Sequence, residues 1–213
     1  MSGARVAVLI SGGGTNLQAL LDDPTVAPNI CVVISNRGKA YGLERARQAS
    51  VEALHLPKPK SEGREEYDNR LSEALESRGV DWVVCAGFMR VLSPSFIEAW
   101  RGRIINIHPA LLPSFKGVDG AAQALAAGVT IAGATVHFVD EGTDTGPIIA
   151  QGVVPVLESD DLDALKARIL TVEHRLLPMV TRWAVEGRLT LEADGVVAKP
   201  AGDESRYTWG GRW

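Results

Sequence analysis

The chain has 213 residues, 46% of them hydrophobic and 23% charged, with a formal net charge of -4 and a sequence pI near 5.6. That length can bury a substantial core as one large domain, and the acidic balance disfavours a nucleic-acid surface, which would need a basic patch or stripe. Its two cysteines, Cys31 and Cys85, each lie inside apolar runs, which argues against a disulfide or a metal site, and no apolar run approaches membrane-spanning length. A soluble cytoplasmic protein with small-molecule partners, no nucleic acid and no membrane is expected.

Residues 5 to 10 read as a buried strand leading straight into Gly12-Gly13-Gly14, with a helix from about Asn16 to Leu21. A Gly-rich turn between a strand and a helix N-terminus has the ingredients of an anion cradle, here Ser11 to Asn16. It lacks the Gly-Lys-Ser/Thr of nucleoside-triphosphate loops, and Leu17 stands where a dinucleotide fingerprint has its third glycine. The second strand, Cys31 to Ser35, ends in Asn36 where a ribose-binding acid would be expected, so a nicotinamide cofactor is disfavoured. A single phosphate monoester fits best. The competing reading is a plain connector with Thr15 or Asn16 as helix cap.

A helix over Tyr41 to Ala49 and a short strand over Ala53 to Leu56 come next. Ser61 to Arg78 follows as a long amphipathic helix with Tyr67, Leu71 and Leu75 at i, i+4 and i+8. Trp82 to Ala86 is a continuous apolar strand. Covered apolar strands alternating with helices predict an α/β fold, a mostly parallel twisted sheet with helices on both faces, and ligands beyond the strand carboxyl ends. Phe88-Met-Arg-Val-Leu92 then forms a rim segment whose backbone groups are free to bind a flat heteroaromatic ligand. Arg64 and Arg90 could hold carboxylates by forked hydrogen bonds, although a surface arginine is more often simply solvated.

Ile104 to His108 is a strand that delivers Asn106 and His108, two residues apart, onto one face. An amide donor beside an imidazole suits a carbonyl turning into an oxyanion, and Pro109 and Pro113 hold the pair at a rim. Strands over Ile131 to Val139 and Ile148 to Val156 flank the tight loop Asp140-Glu-Gly-Thr-Asp-Thr-Gly-Pro147 and give antiparallel additions in the C-terminal half. In that loop Asp144 could orient an imidazole or pass protons through a water, or could merely close a turn. His137 could line the site or be a satisfied core histidine, and His55 reads as structural. The last helix runs from about Leu162 to Trp183 and carries Glu173-His174. From Gly195 onward the chain reads as polar and irregular, and the tryptophans of its Trp209-Gly-Gly-Arg-Trp213 end suggest either docking on the body or an appended tail. No His, Cys and acid set has metal-ligand spacing, so no metal is predicted.

Together these stretches resemble the 10-formyltetrahydrofolate-dependent formyltransferase family over roughly residues 5 to 192. The resemblance rests on Val-Leu-Ile-Ser-Gly-Gly-Gly-Thr-Asn-Leu-Gln at 8–18, Ser-Asn-Arg at 35–37, Ala-Gly-Phe-Met-Arg-Val-Leu at 86–92 and Asn-Ile-His-Pro-Ala-Leu-Leu-Pro at 106–113. It continues with Gly-Ala-Thr-Val-His-Phe-Val at 133–139, Asp-Thr-Gly-Pro at 144–147 and Glu-His at 173–174.

The resemblance implies one formyltransferase domain over 1–200, a phosphate-binding half to about 100 and a folate and catalytic half beyond, with a tail over 201–213. It implies Asn106, His108 and Asp144 as the catalytic trio. Gly14, Thr15 and Asn16 would cradle a ribose phosphate and Glu173 would meet the glycinamide end. Met89, Arg90, Val91 and Leu92, with Asn106 and Asp140, Glu141, Gly142, Thr143 and Asp144, would enclose the pterin. Arg64 and Arg90 would lie near its benzoylglutamate portion. The implied reaction moves a formyl group from 10-formyltetrahydrofolate to the amine of 5'-phosphoribosylglycinamide, in de novo purine biosynthesis, without metal, in a monomer or homodimer.

A 10-formyltetrahydrofolate hydrolase shares the Asn, His and Asp motifs, but its members usually carry a further domain before the first strand, which here begins at about residue 5. Methionyl-tRNA formyltransferases likewise carry a further carboxyl-terminal domain. Two positions depart from the family pattern: Asp119 stands where a histidine is common, and Leu170 where a longer polar side chain reaches the phosphate.

Overall fold

Every residue of the first strand, β1 (Val6–Ile10), is buried, and its side chains divide by parity between two cores. Val6, Val8 and Ile10 join one hydrophobic cluster, while Ala7 and Leu9 join the other. A strand with a core on each face must sit inside a sheet covered on both sides, which is the arrangement in this computed structural model. It describes residues 3–193, 195–198, 200–201 and 205–209.

The further elements run in chain order through α1 (Thr15–Asp22), β2 (Ile30–Ser35), α2 (Tyr41–Gln48), β3 (Glu52–His55) and α3 (Arg64–Glu76). Next come β4 (Trp82–Cys85), α4 (Pro94–Ala99), β5 (Ile104–His108), α5 (Gly120–Ala126), β6 (Ile131–Phe138) and β7 (Ile148–Pro155). The chain then forms α6 (Leu162–Val185), β8 (Leu189–Glu192), β9 (Gly195–Ala198) and β10 (Tyr207–Trp209). The main sheet has eight strands in the order β10-β7-β6-β5-β4-β1-β2-β3. β3, β2, β1, β4 and β5 pair in parallel, whereas β6 lies antiparallel between β5 and β7. The expected α/β fold with its antiparallel addition is thus present.

One face carries α1, α5 and α6 over the larger cluster, and the other carries α3 and α4. Tyr67, Leu71 and Leu75, the stripe expected on α3, are all fully buried in the second cluster. α6 buries Leu165, Ile169, Val172, Leu176, Val180 and Trp183 at helical spacing, and the Asp161 carboxylate caps its start by accepting from Ala164 N at 2.8 Å.

Two short helices, α4 and α5, form in stretches to which the sequence pattern assigns no element. The stretch read as irregular from Gly195 also differs: β9 pairs with β8, and Tyr207, Thr208 and Trp209 pair with Gln151, Gly152 and Val153 of β7. Backbone pairing with an existing edge organises a segment that has no apolar pattern of its own. Trp213 lies outside the described residues. Among the described residues, no helix is long and apolar enough to cross a membrane.

In the parallel half the chain winds outward from β1 in both directions, so β1 and β4 flank the topological switch point. The loops after their carboxyl ends are where ligands of such sheets bind.

Candidate active site

The glycine-rich turn leaves β1 through Gly14, whose φ of +72° a side chain would strain. A Cβ there would also lie 2.7 Å from the Gly42 Cα. Gly42 at the start of α2 in turn donates its N–H to the Gly12 carbonyl at 3.1 Å. The close packing brings α1 to its first residue, Thr15, with no side-chain cap. The first N–H groups of α1 therefore remain open to an anion, helped by the helix dipole.

Asn16 leaves the cradle sideways and donates its amide to the Glu173 carboxylate of α6 at 2.7 Å. Glu173 is 6% exposed, and burial pushes its carboxyl above the usual range against the opposing bond from Asn16. The Asn16 Oδ1 is buried with no partner. A carboxylate beside an orphaned acceptor suits a ligand that brings hydroxyl or amine donors. An open groove of about 720 Å³ runs along this edge past Thr15, Gln18, Arg45, His174 and Arg175.

The second cluster forms at the carboxyl end of β5. Asn106 and His137 are direct partners across the β5–β6 ladder, and their Nδ2 and Nε2 atoms lie 3.1 Å apart. The other ring nitrogen of His137, Nδ1, is 2.7 Å from the Phe138 carbonyl. An N–H on Nδ1 donates to that carbonyl and makes Nε2 the acceptor of one Asn106 amide proton, leaving the second proton free.

Asp144 reaches in from the loop after β6, with a φ of +51°. Its Oδ2 lies 3.3 Å from His108 Nδ1 and accepts from Gly117 N at 2.8 Å, while Oδ1 lies 3.7 Å from His137 Nε2. Burial pushes the Asp144 carboxyl up. With His137 Nε2 accepting from Asn106, the Gly117 N–H and the charge of His108 are the groups that oppose it, and the carboxyl lies below the usual carboxylate range. His108 is 3% exposed, and its Nε2 faces the Phe115 carbonyl at 2.9 Å. Both of its nitrogens therefore face acceptors, an arrangement that an imidazolium with two N–H groups satisfies.

Around this cluster opens a cleft of about 130 Å³, lined by Arg90, Val91, Leu92, Asn106, His137 and the loop 140–144, with Phe88 and Cys85 beneath. It has room for one flat ring system bounded by apolar side chains and backbone polar groups. Arg90 stacks its guanidinium 4.4 Å over the Tyr67 ring, and its Nε is buried without a partner, which suits an anionic or carbonyl ligand group. Arg64 is exposed at the start of α3 and Met89 is 64% exposed; neither lines this cleft.

Comparison with known proteins fits this geometry. Residues 4–181 match the Formyl transferase family model. The chain belongs to the formyl transferase family. It is 43% identical over 190 residues to the phosphoribosylglycinamide formyltransferase of Escherichia coli, covering 88% of this chain and 90% of that one. It is also 47% identical over 188 residues to the trifunctional purine biosynthetic protein adenosine-3 of Drosophila melanogaster, covering 86% of this chain. The chain spans only 14 to 20% of the length of such trifunctional relatives. Among solved structures, glycinamide ribonucleotide transformylase 1 from Symbiobacterium toebii superimposes with a TM-score of 0.88 at 48% identity. That match covers 92% of this chain and 94% of the other.

Within the formyl transferase fold, the geometry draws Asn106, His108 and Asp144 into one cluster and Asn16 and Glu173 into another. Sequence reasoning left His137 open between lining the site and filling the core; it does both, buried at 2% exposure and touching Asn106. Phe115 O and Gly117 N escaped notice because they are backbone groups of a loop. The positive φ values of Phe115 and Asp119 that aim this loop leave little trace in sequence. Of the two departures from the family pattern, Asp119 pairs with Lys166 at 3.4 Å on the surface. Leu170 is half-buried on α6. Among the described residues, no group of His, Cys, Asp and Glu could hold a metal ion.

Proposed function

We propose that this chain transfers the formyl group of 10-formyltetrahydrofolate to the amine of 5'-phosphoribosylglycinamide, giving the N-formyl product and tetrahydrofolate in purine biosynthesis. The observation that carries this reading is the Asp144 carboxylate, held ionised within 3.3 Å of His108 and 3.7 Å of His137. It stands at a cleft that also exposes the amide of Asn106. Binding alone would not call for an ionised acid, an imidazole and an oriented amide at one point.

In the proposed reaction the amine nitrogen bonds to the formyl carbon and the carbonyl oxygen takes up negative charge. The free amide proton of Asn106 meets that oxyanion, and the His108 ring, held beside Asp144, stabilises it as a donor. The attacking nitrogen must lose a proton and the departing folate nitrogen must gain one as its bond to carbon breaks. The His108–Asp144 pair with bound water relays it. No enzyme nucleophile is required. The pterin would occupy the cleft between residues 88–92 and 140–144, with Arg90 and Arg64 toward the benzoylglutamate end. The ribose phosphate would rest on Gly14, Thr15 and Asn16 with Glu173 beside it.

Sparing cysteine use supports a cytoplasmic enzyme, which would act as a monomer or homodimer. Residues 1–200 would act as one domain with a phosphate half and a folate half, followed by a tail over 201–213. The test is folate release from 10-formyltetrahydrofolate with and without phosphoribosylglycinamide. Amine-dependent release is the expected result; release without the amine would make the chain a hydrolase, and no release would end the proposal.

A further inference from the structure

Ser11, the first residue beyond β1 and 3% exposed, was read as the start of the cradle, but its hydroxyl is turned to Met89 N and Asn36 Oδ1, so the cradle proper is residues 12–16 and no step above uses Ser11. Its backbone N–H donates to the Gly87 carbonyl at 3.1 Å, carrying the β1–β4 ladder past the last strand bond, Ala86 N to Leu9 O. At Gly87 the chain turns with a φ of +81°, so the next amide can no longer meet backbone. The Ser11 hydroxyl takes its place, accepting from Met89 N at 2.9 Å. The same hydroxyl donates to Asn36 Oδ1, just beyond β2, at 2.6 Å. One side chain thus joins the ends of three neighbouring strands, and it accounts for the asparagine of the Ser35-Asn36-Arg37 stretch.

Two of the joined segments are the ligand loops. Residues 12–16 form the anion cradle, and Phe88, Arg90, Val91 and Leu92 of the other segment form one wall of the ring-binding cleft. We propose that Ser11 is a positioning residue that holds these two loops in register, so that the phosphate-bearing and the heteroaromatic ligand depend on the same hydroxyl although it need touch neither. This rests on the reading that both ligands bind here. Without the hydroxyl, the Met89 N–H and the Asn36 carbonyl both lose their partner. Each loop is then free to shift, and a ligand must restore the order on binding.

The test is calorimetric titration of the wild-type chain and Ser11→Ala with phosphoribosylglycinamide and, separately, with unreactive tetrahydrofolate, together with kcat at saturation. Ser11→Ala is expected to weaken both ligands by roughly three- to tenfold, the worth of an ordinary net hydrogen bond, with kcat within about twofold of wild type. A residue that only supports folding would lower the active fraction and leave both affinities alone. Weakening of one ligand only, or of neither, overturns the proposal. Should Ser11→Ala fail to fold, Asn36→Ala, which removes the acceptor holding the hydroxyl, decides by the same criterion. A wild-type chain that binds both ligands yet transfers no formyl group ends the functional reading and leaves this one to the variants; one that binds neither ends both.

Discussion

Asn106 and His108 share a strand face, and that much follows from strand geometry alone. What the pair does depends on Asp144 and His137, which arrive from the neighbouring strand and its loop. Because the proposed oxyanion contacts and proton relay operate as charge develops, His108→Ala and Asp144→Asn should each lower kcat on the order of a hundred- to a thousandfold. Ligand affinities should change little, as read by steady-state kinetics beside calorimetric titration. A variant of either kind with near-native kcat would remove that residue from the mechanism.

Glu173 supplies a stability test. Its carboxyl sits above the usual carboxylate range because burial disfavours the charged form. Such a group contributes stability fully below its unfolded pKa and loses it as pH rises through the folded pKa. Glu173→Gln should therefore gain thermal stability relative to wild type as pH climbs from the ordinary carboxylate range toward neutrality. Binding of phosphoribosylglycinamide should weaken at the same time. Melting curves with a constant gap across that range would contradict the assignment.

At the level of elements, β1, β2, β4 and α3 were legible because their apolar residues follow the period of a covered strand or a one-faced helix. α4 and α5 were not, since six and seven residues complete too few turns to show a period against the surrounding loop. β9 and β10 escaped for another reason: their pairing partners lie elsewhere in the fold, so local composition carries no signal. α6 is the element on which the site most depends, because it seals one face of the sheet and presents Glu173 to Asn16. Leu176, fully buried in it, occupies the core three positions further along. Leu176→Ala should cost about 2–5 kcal/mol in transfer and cavity terms, measurable by urea denaturation. A loss below about 1 kcal/mol would mean the helix repacks freely.

Over the whole molecule, the proposed sites straddle the switch point and its antiparallel extension, so ligand binding should stabilise elements from both halves together. Phosphoribosylglycinamide at about a hundred times its Kd should add about 2.7 kcal/mol, raising Tm by roughly 5 to 10 °C in a chain of this size. An unmoved Tm at that concentration would argue against the acceptor site. By itself the sequence determined the alternation of strands and helices, the cradle after β1 and the pairing of Asn106 with His108, because each depends on residues within a few positions of one another. Tertiary structure decided that β6 lies antiparallel against β5, and with it that His137 faces Asn106 and that Asp144 meets His108. Strand order is set by how helices cover the sheet as a whole, and no local pattern of residues records which strand will become the neighbour.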